Sequence, residues 1–119
     1  MPYVDGFVLP IPKKSLKAYA RMAEFAGKIW KEHGALEFRE CAGDDLSAHC
    51  DVPFTKIIKL KPGETVMFSY IVFKSRAHRD RVNAKVMKDE RLKKQMEKAK
   101  MPFDLQRMAY GGFQSLVDL

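Results

Sequence analysis

The sequence predicts an α+β fold of the ferredoxin-like type, with the element order βαββαβ and an antiparallel four-stranded sheet that carries its helices on one face. Three observations lead to this prediction. The chain of 119 residues fits one domain spanning residues 1–119. Four segments have the composition or alternation of strands, and segments with helical periodicity follow the first and the third of them. Two of the strands are apolar on both faces, so a second copy of the chain is expected to cover the face that the helices leave open.

The chain begins with a strand and a long helix. Residues 3–11 are predicted to form the first strand because both of its alternating faces are largely apolar, and Pro10 and Pro12 end it. Apolar residues then recur at spacings of three and four over 13–33, which predicts a helix that stops at Gly34. The inward face of this helix is expected to carry Leu16, Tyr19, Met22, Ala23, Ala26, Ile29, Trp30 and His33.

A half-buried second strand is predicted at residues 35–43, where three side chains of one face alternate with three of the other, namely Leu36, Phe38 and Glu40 with Glu37, Arg39 and Cys41. The polar residues 44–53 are expected to form a loop. Residues 54–60 suit either a short helix or a strand, and the short helix is favoured. Residues 61–64, with the sequence Lys-Pro-Gly-Glu, indicate a turn.

The strongest strand prediction is the third, at residues 65–73. This segment is rich in β-branched and aromatic residues and apolar on both faces, and only Ser69 interrupts it. Ser75 is expected to cap a second main helix over 76–88. The inward face of that helix should hold Val82, Val86 and Met87.

Two further elements are predicted near the end of the chain. Asp89 is suited to cap a short helix at 90–98, in which Leu92 and Met96 lie one turn apart. Residues 105–113 are predicted to form the fourth strand. With this strand the predicted order βαββαβ is complete.

The composition is typical of a globular protein of the cytoplasm. Hydrophobic residues make up 46% and charged residues 31% of the chain, which excludes a disordered or fibrous protein. Cys41 and Cys50 are the two cysteines and are expected to be reduced thiols. The N-terminal residues lack the basic leader of a signal peptide, and no apolar stretch approaches the roughly 20 residues that span a bilayer. A cytoplasmic protein without a membrane partner is therefore expected.

Three segments resemble a known family. They are YVDGFV at 3–8, FSYIVFKSRAHRD at 68–80 with NAKVMKDERL at 83–92, and MPFDLQRMAYGGF at 101–113. Together they are similar to the YbaA-like family of bacterial proteins of unknown function, over nearly the whole chain. The resemblance implies a dimeric α+β barrel and hence a homodimer, in agreement with the two-faced strands. It implies no particular reaction, because the wider superfamily includes monooxygenases, haem-degrading enzymes, isomerases and members without known chemistry.

A small-molecule pocket between the sheet and the helices is the first functional hypothesis. Gly6 and the pair Gly111 and Gly112 are expected to be neighbours across the first and fourth strands, where the missing side chains either open a cavity or bend the sheet. An apolar cavity with few polar groups is typical of small-molecule sites. The residues expected at this pocket are Asp5, Phe7, Ser69, Tyr70, His78, Asn83 and Tyr110.

The basic charge of the chain is concentrated in one segment. Residues 74–100 hold 11 of the 22 basic residues and 4 of the 15 acidic ones, so the net charge of +7 lies there. A solvated helical face explains such a run, and binding of RNA or another anion is the alternative. The residues for that alternative are Arg76, Arg79, Arg81, Lys85, Lys88 and Arg91. A third hypothesis is a structural or regulatory dimer without catalysis.

No metal or cofactor is predicted. His49 lies close in sequence to four possible ligands, but their spacing matches no zinc pattern; they are Asp44, Asp45, Cys50 and Asp51. A Walker loop, a dinucleotide fingerprint, a nucleophile elbow and an HExxH motif are also absent from the sequence. The sequence leaves open whether the protein is an enzyme and assigns no catalytic residue.

Overall fold

Four antiparallel strands form a sheet. A computed structural model describes residues 1–47, 51–98 and 102–119 of the chain. The strands are β1 (Tyr3–Pro12), β2 (Glu37–Ala42), β3 (Glu64–Phe73) and β4 (Ala109–Gln114). Their order in the sheet is β2-β3-β1-β4, so the two long apolar strands β1 and β3 lie in the centre.

The helices agree with the predicted ones to within a few residues. They are α1 (Leu16–Glu32), α2 (Phe54–Ile58), α3 (Arg76–Met87) and α4 (Glu90–Lys98). The short helix favoured for residues 54–60 is confirmed as α2. The predicted cap of α3 is confirmed too, because the Ser75 hydroxyl accepts a hydrogen bond from the His78 amide at 3.1 Å. Asp89 likewise accepts from the Arg91 amide at 2.9 Å where α4 begins.

The predicted fourth strand at 105–113 is wrong over its first half. Leu105–Arg107 form a short 3-10 turn, and the strand runs instead from Ala109 to Gln114. The cause is a local side-chain bond, since the Asp104 carboxylate accepts from the Gln106 amide at 2.9 Å. Such bonds compete with strand pairing for the backbone.

A bidentate ion pair holds this turn against the start of β3. The Arg107 guanidinium donates to the two carboxylate oxygens of Glu64 at 2.7 and 2.9 Å. It also donates to the Lys59 carbonyl at 3.1 Å. The hydrogen bonds from Arg107 lower the pKa of Glu64 to about 2, so this carboxylate stays ionised down to strongly acidic pH.

The apolar core lies between one face of the sheet and helices α1, α3 and α4. Its buried residues form two clusters, with Leu9, Ile11, Tyr19, Ala23 and Met67 in one and Ile29, Ala35, Ile71, Phe73, Val82, Val86 and Leu92 in the other. Of the inward residues predicted on α3, Val82 and Val86 are buried, as expected. Met87, which follows Val86 in the helix, is 55% exposed.

The second face of the sheet is also apolar and is only partly covered. Helix α2 lies against one part of this open face, where the Phe54 ring is 6.3 Å from the Phe68 ring. Even so, Phe68 is 45% exposed and Phe113 is 61% exposed. The residues that line the open face include Val4, Val8, Phe68, Tyr70, Ala109 and Phe113.

Candidate functional site

A cavity of about 440 Å³ lies between the inner face of the sheet and helices α1, α3 and α4. Most of its wall is apolar and consists of aromatic, aliphatic and methionine side chains. Its polar lining residues are few, and they are Asp5, Tyr19, Glu40, Ser69, Asn83, Gln95 and Tyr110.

An ion pair holds Asp5 in the wall of this cavity. Asp5 belongs to β1 and is 1% exposed, and its Oδ1 accepts from Nη1 of Arg79 at 2.7 Å. The same nitrogen donates to the Tyr110 hydroxyl at 2.8 Å. The guanidinium carbon lies 4.9 Å from the centre of the Tyr3 ring, a cation–π distance. Burial and the charge of Asp5 raise the pKa of Tyr110, so its phenol keeps its proton.

A second carboxylate, Glu40 of β2, is held by hydroxyl groups. Its Oε2 accepts from the Tyr19 hydroxyl at 2.7 Å and from the Ser69 hydroxyl at 2.5 Å. Ser69 lies directly opposite Glu40 in the ladder between β2 and β3, and Tyr19 comes from α1. Burial raises the pKa of Glu40, and the two hydroxyl donors oppose that rise. Burial and the nearby Glu40 charge raise the pKa of Tyr19, which therefore remains a donor.

The cavity wall carries two acids and, among the described residues, no base. Asp5 and Glu40 both line it, whereas no Lys, Arg or His of the described chain does. The whole chain has the opposite balance, with a net charge of +7. Because Arg79 matches the charge of Asp5 from behind the wall, the carboxylate of Glu40 is the acid that faces the cavity without a cation bound to it in the described structure.

The wall combines an anchored tryptophan with several methionine side chains. Trp30, the single tryptophan of the chain, donates from Nε1 to Oδ1 of Asn83 at 3.0 Å and so links α1 to α3. Four of the seven methionines also line the cavity, namely Met22, Met87, Met96 and Met108. Methionine has three rotatable bonds and fills irregular space readily.

The structure brings five of the seven predicted pocket residues together at the cavity, which are Asp5, Phe7, Ser69, Asn83 and Tyr110. Tyr70 lies on the opposite face of the sheet, because it follows Ser69 in β3 and successive strand residues point to opposite faces. His78 is not part of the wall either. Its Nδ1 accepts from the Lys74 amide at 3.0 Å, and its ring meets the edge of Phe73. Desolvation and the nearby positive charges lower the pKa of His78.

Three polar residues of the cavity carry no functional role in the sequence-based prediction, namely Tyr19, Glu40 and Gln95. From the sequence, Tyr19 belongs to the inward face of the first helix and Glu40 to the alternation of the second strand. The available signal was that Glu40 shares a strand face with Phe38, which turns inward. An acid on an inward face needs hydrogen-bond donors. The donor that the sequence could not identify is Tyr19, 21 residues away.

Aromatic rings occupy the space beside the strand glycines. Gly6 lies opposite Gly111 in the ladder between β1 and β4, as predicted. A β-carbon added at Gly6 or Gly111 would lie 3.3 or 3.4 Å from the ring of Phe113. One added at Gly112 would lie 2.9 Å from ring carbons of Tyr3. The glycines therefore leave room for aromatic rings close to the backbone. None of the three lines the cavity of about 440 Å³, so their missing side chains do not form it.

Two of the six residues predicted to bind anions, Arg79 and Arg91, form ion pairs within the protein. Arg79 is held in the pair described above, and Arg91 donates to Glu32 at 2.6 Å and to Asp89 at 2.8 Å. Asp89 also lies 2.8 Å from Nε2 of His33 at the end of α1. Together, the bonds from Arg91 and His33 lower the pKa of Asp89. The remaining four residues are exposed, and they are Arg76, Arg81, Lys85 and Lys88.

Neither a metal cluster nor a membrane-spanning helix occurs in the described part of the chain. Within residues 1–47, 51–98 and 102–119, no three His, Cys, Asp or Glu side chains are grouped to hold a metal ion. His49 and Cys50 lie outside these residues. No helix within the same ranges has the length and apolar character needed to cross a bilayer.

The family follows from a match over most of the chain. Residues 2–105 match the family described as "Protein of unknown function (DUF1428)". The chain belongs to the DUF1428 family. The match includes β1, β2 and β3 and helices α1 to α4, which supply most of the cavity wall.

Relatives of this DUF1428 chain confirm the predicted YbaA-like family. It is 42% identical over 118 residues to "Uncharacterized protein YbaA" of Escherichia coli (strain K12), and the match covers 99% of both chains. The protein of the same name from Shigella flexneri matches to the same extent. Among solved structures, "De novo designed protein Foldit4" covers 97% of this chain, and 99% of its own, with a TM-score of 0.50 and 8% identity. That likeness concerns the fold alone.

Proposed function

We propose that this DUF1428 protein binds a small, largely apolar molecule in the cavity between its sheet and its helices. The observation that carries the proposal is the cavity itself, with its volume of about 440 Å³ and its apolar wall. Pockets for small molecules measure about 300–1,000 Å³ and combine an apolar lining with a few polar groups. The cavity of this protein has the same size and the same composition.

The polar groups of the wall support the proposal because they are fixed in place by one another. Glu40 is held by hydroxyls from two other elements, and the amide oxygen of Asn83 is held by Trp30. A site whose polar groups are ordered in advance loses less conformational entropy when a ligand binds. Such order is what a binding site needs.

We also propose that the chain has the ferredoxin-like fold and assembles as a dimeric α+β barrel. The antiparallel order β2-β3-β1-β4, with α1 and α3 on one face, supports the first part. The exposed rings of Phe68 and Phe113 on the open face support the second, because soluble monomers rarely leave a large apolar patch in water. The cavity lies on the other side of the sheet, so each copy would keep its own.

Filling the cavity tests the binding proposal. Ala26→Phe on α1 places a ring in the cavity, and Ala20→Phe places the same ring on the exposed side of the same helix. The probes are 2-phenylethylamine and 2-phenylethanol. Binding is followed by the fluorescence of Trp30, the single tryptophan, which lines the cavity. We expect the wild type and Ala20→Phe to bind at least one probe and Ala26→Phe to bind neither.

Thermal unfolding gives an independent measurement. A probe at ten times its Kd stabilises the folded state by about 1.4 kcal/mol, which raises Tm by about 5 °C for a domain of this size. Circular dichroism establishes that both variants are folded. The proposal is wrong if the wild type responds to neither probe, or if Ala26→Phe responds as strongly as Ala20→Phe.

A further inference from the structure

We propose that the cavity selects an organic cation, an apolar molecule with an ammonium group, and that the free carboxylate oxygen of Glu40 receives that group. This inference rests on the proposed binding function and names the class of ligand.

The two oxygens of Glu40 differ in their surroundings. Tyr19 and Ser69 both donate to Oε2. Among the described residues no donor is bonded to Oε1, and Oε1 is not among the buried polar atoms left without a partner. Glu40 is part-buried and lines the cavity. A cation beside Glu40 favours its ionised form, and an ionised carboxylate oxygen on that residue accepts a hydrogen bond from the ligand.

The charges of the wall decide which kind of donor fits. Asp5 and Glu40 line the cavity, and no described Lys, Arg or His accompanies them. Asp5 is matched by Arg79 at 2.7 Å, and Glu40 is bonded only to neutral hydroxyls in the described structure. A cationic ligand supplies the missing charge, whereas an anionic ligand is repelled.

Aromatic rings next to Glu40 favour the same ligand. Tyr19, which bonds Glu40, pairs with Phe103 at a centroid distance of 5.4 Å. Phe38, two residues before Glu40 on the same strand face, pairs with Trp30 at 6.1 Å. Both pairs line the cavity. The faces of aromatic rings attract cations, and a carboxylate flanked by rings is a usual receptor for an ammonium group on an apolar body.

Three probes that share a 2-phenylethyl group and differ in their end groups test the inference. They are 2-phenylethylamine, 2-phenylethanol and 3-phenylpropanoate, measured by Trp30 fluorescence and by Tm at neutral pH. We expect the amine to bind about tenfold more tightly than the alcohol, because a charge-assisted hydrogen bond exceeds a neutral one by about that factor. The carboxylate should bind most weakly.

Two matched variants test whether the preference for the amine depends on Glu40. Glu40→Gln keeps an oxygen for Tyr19 and Ser69 but removes the charge, so the preference for the amine over the alcohol should disappear. Glu37→Gln removes the same charge from an exposed position on the other face of the same strand and should leave the preference unchanged.

The outcomes separate this inference from the proposed function. If none of the three probes binds to the wild type, the binding function itself fails. If the alcohol or the carboxylate binds as tightly as the amine, or if Glu40→Gln keeps the preference, the function stands and the cation inference is overturned. The comparison of probes on the wild type decides the question even if Glu40→Gln does not fold.

Discussion

Asp5 is an acid in an otherwise apolar strand, and the guanidinium of Arg79 is what makes its burial tolerable. The sequence singles out Asp5 by that contrast alone. Its partner could not be predicted, because 74 residues separate the two and Arg79 belongs to a basic run that is expected to be solvated. The Arg79 side chain is instead 13% exposed. Contacts between residues distant in sequence depend on how the helix is placed on the sheet, and local patterns do not encode that placement.

This pair predicts an asymmetric response to mutation. Arg79→Met leaves the Asp5 carboxylate, whose side chain is 2% exposed, without its cation. We expect a loss of about 3 kcal/mol in the free energy of unfolding, measured by urea denaturation. Asp5→Asn should cost less, because the amide oxygen still accepts from Arg79 and a neutral group is easier to bury.

Arg81→Met, on the exposed side of the same helix, is the control for the lost charge and should change the free energy of unfolding by less than about 0.5 kcal/mol. Equal losses for Arg79→Met and Arg81→Met would show that the ion pair contributes nothing to stability.

At the scale of elements, periodicity predicted most of the molecule and failed where side chains bond the backbone. The apolar spacing of α1 is typical of a helix, and the apolar composition of both faces of β3 is typical of a buried strand. Residues 105–113 also alternate well enough for a strand, but Asp104 caps a turn and Arg107 binds Glu64, 43 residues away. The turn at Asp104 is a local signal that the sequence contains. The pair of Arg107 and Glu64 joins residues distant in sequence, so no local pattern predicts it.

The Arg107–Glu64 pair predicts a specific loss of stability in acid. The pKa of Glu64 falls from an ordinary 4.5 to about 2 in the folded protein, so protonation favours the unfolded chain. The stabilisation is therefore complete above about pH 4.5 and disappears as the pH falls towards 2. Glu64→Gln should lower Tm by several degrees at neutral pH, and its difference from the wild type should shrink over that interval.

Glu24→Gln provides the comparison for this titration. Glu24 pairs with Lys28 at 3.6 Å, and both side chains are more than 70% exposed. Such a pair contributes little, so this variant should follow the wild-type Tm at every pH. A Glu64→Gln difference that stays constant through acidification would exclude the ion pair as its source.

At the scale of the whole molecule, the sheet has a core on one side and an apolar surface on the other. The sequence predicted the second apolar face, since both sets of alternating side chains in β1 and β3 are largely apolar. It could not show that the chain itself covers part of that face with α2 and still leaves the rings of Phe68 and Phe113 exposed. The extent of the uncovered area depends on loop placement.

The proposed dimer predicts that charge on the open face separates the copies. The wild type should have twice the mass of the 13.7 kDa chain in sedimentation equilibrium. Phe113→Glu should reduce it to a single chain, because burying an unpaired carboxylate at an interface is costly. Phe25→Glu, at a residue of α1 that is 43% exposed, should leave the mass unchanged. A wild type that sediments as one chain contradicts the dimer.

The four methionines of the cavity wall bear on how broadly the proposed site would select its ligands. Unbranched thioether side chains can change shape without moving the backbone, and two of the four, Met87 and Met96, are more than half exposed. A wall of branched residues would discriminate between carbon skeletons by their outline. In the proposed site, flexible methionine side chains leave the discrimination between ligands to the fixed groups around Glu40. Under the proposed function, we therefore expect the protein to tolerate changes in the body of a ligand and to be strict about its polar end, so that one cavity accommodates a series of related compounds.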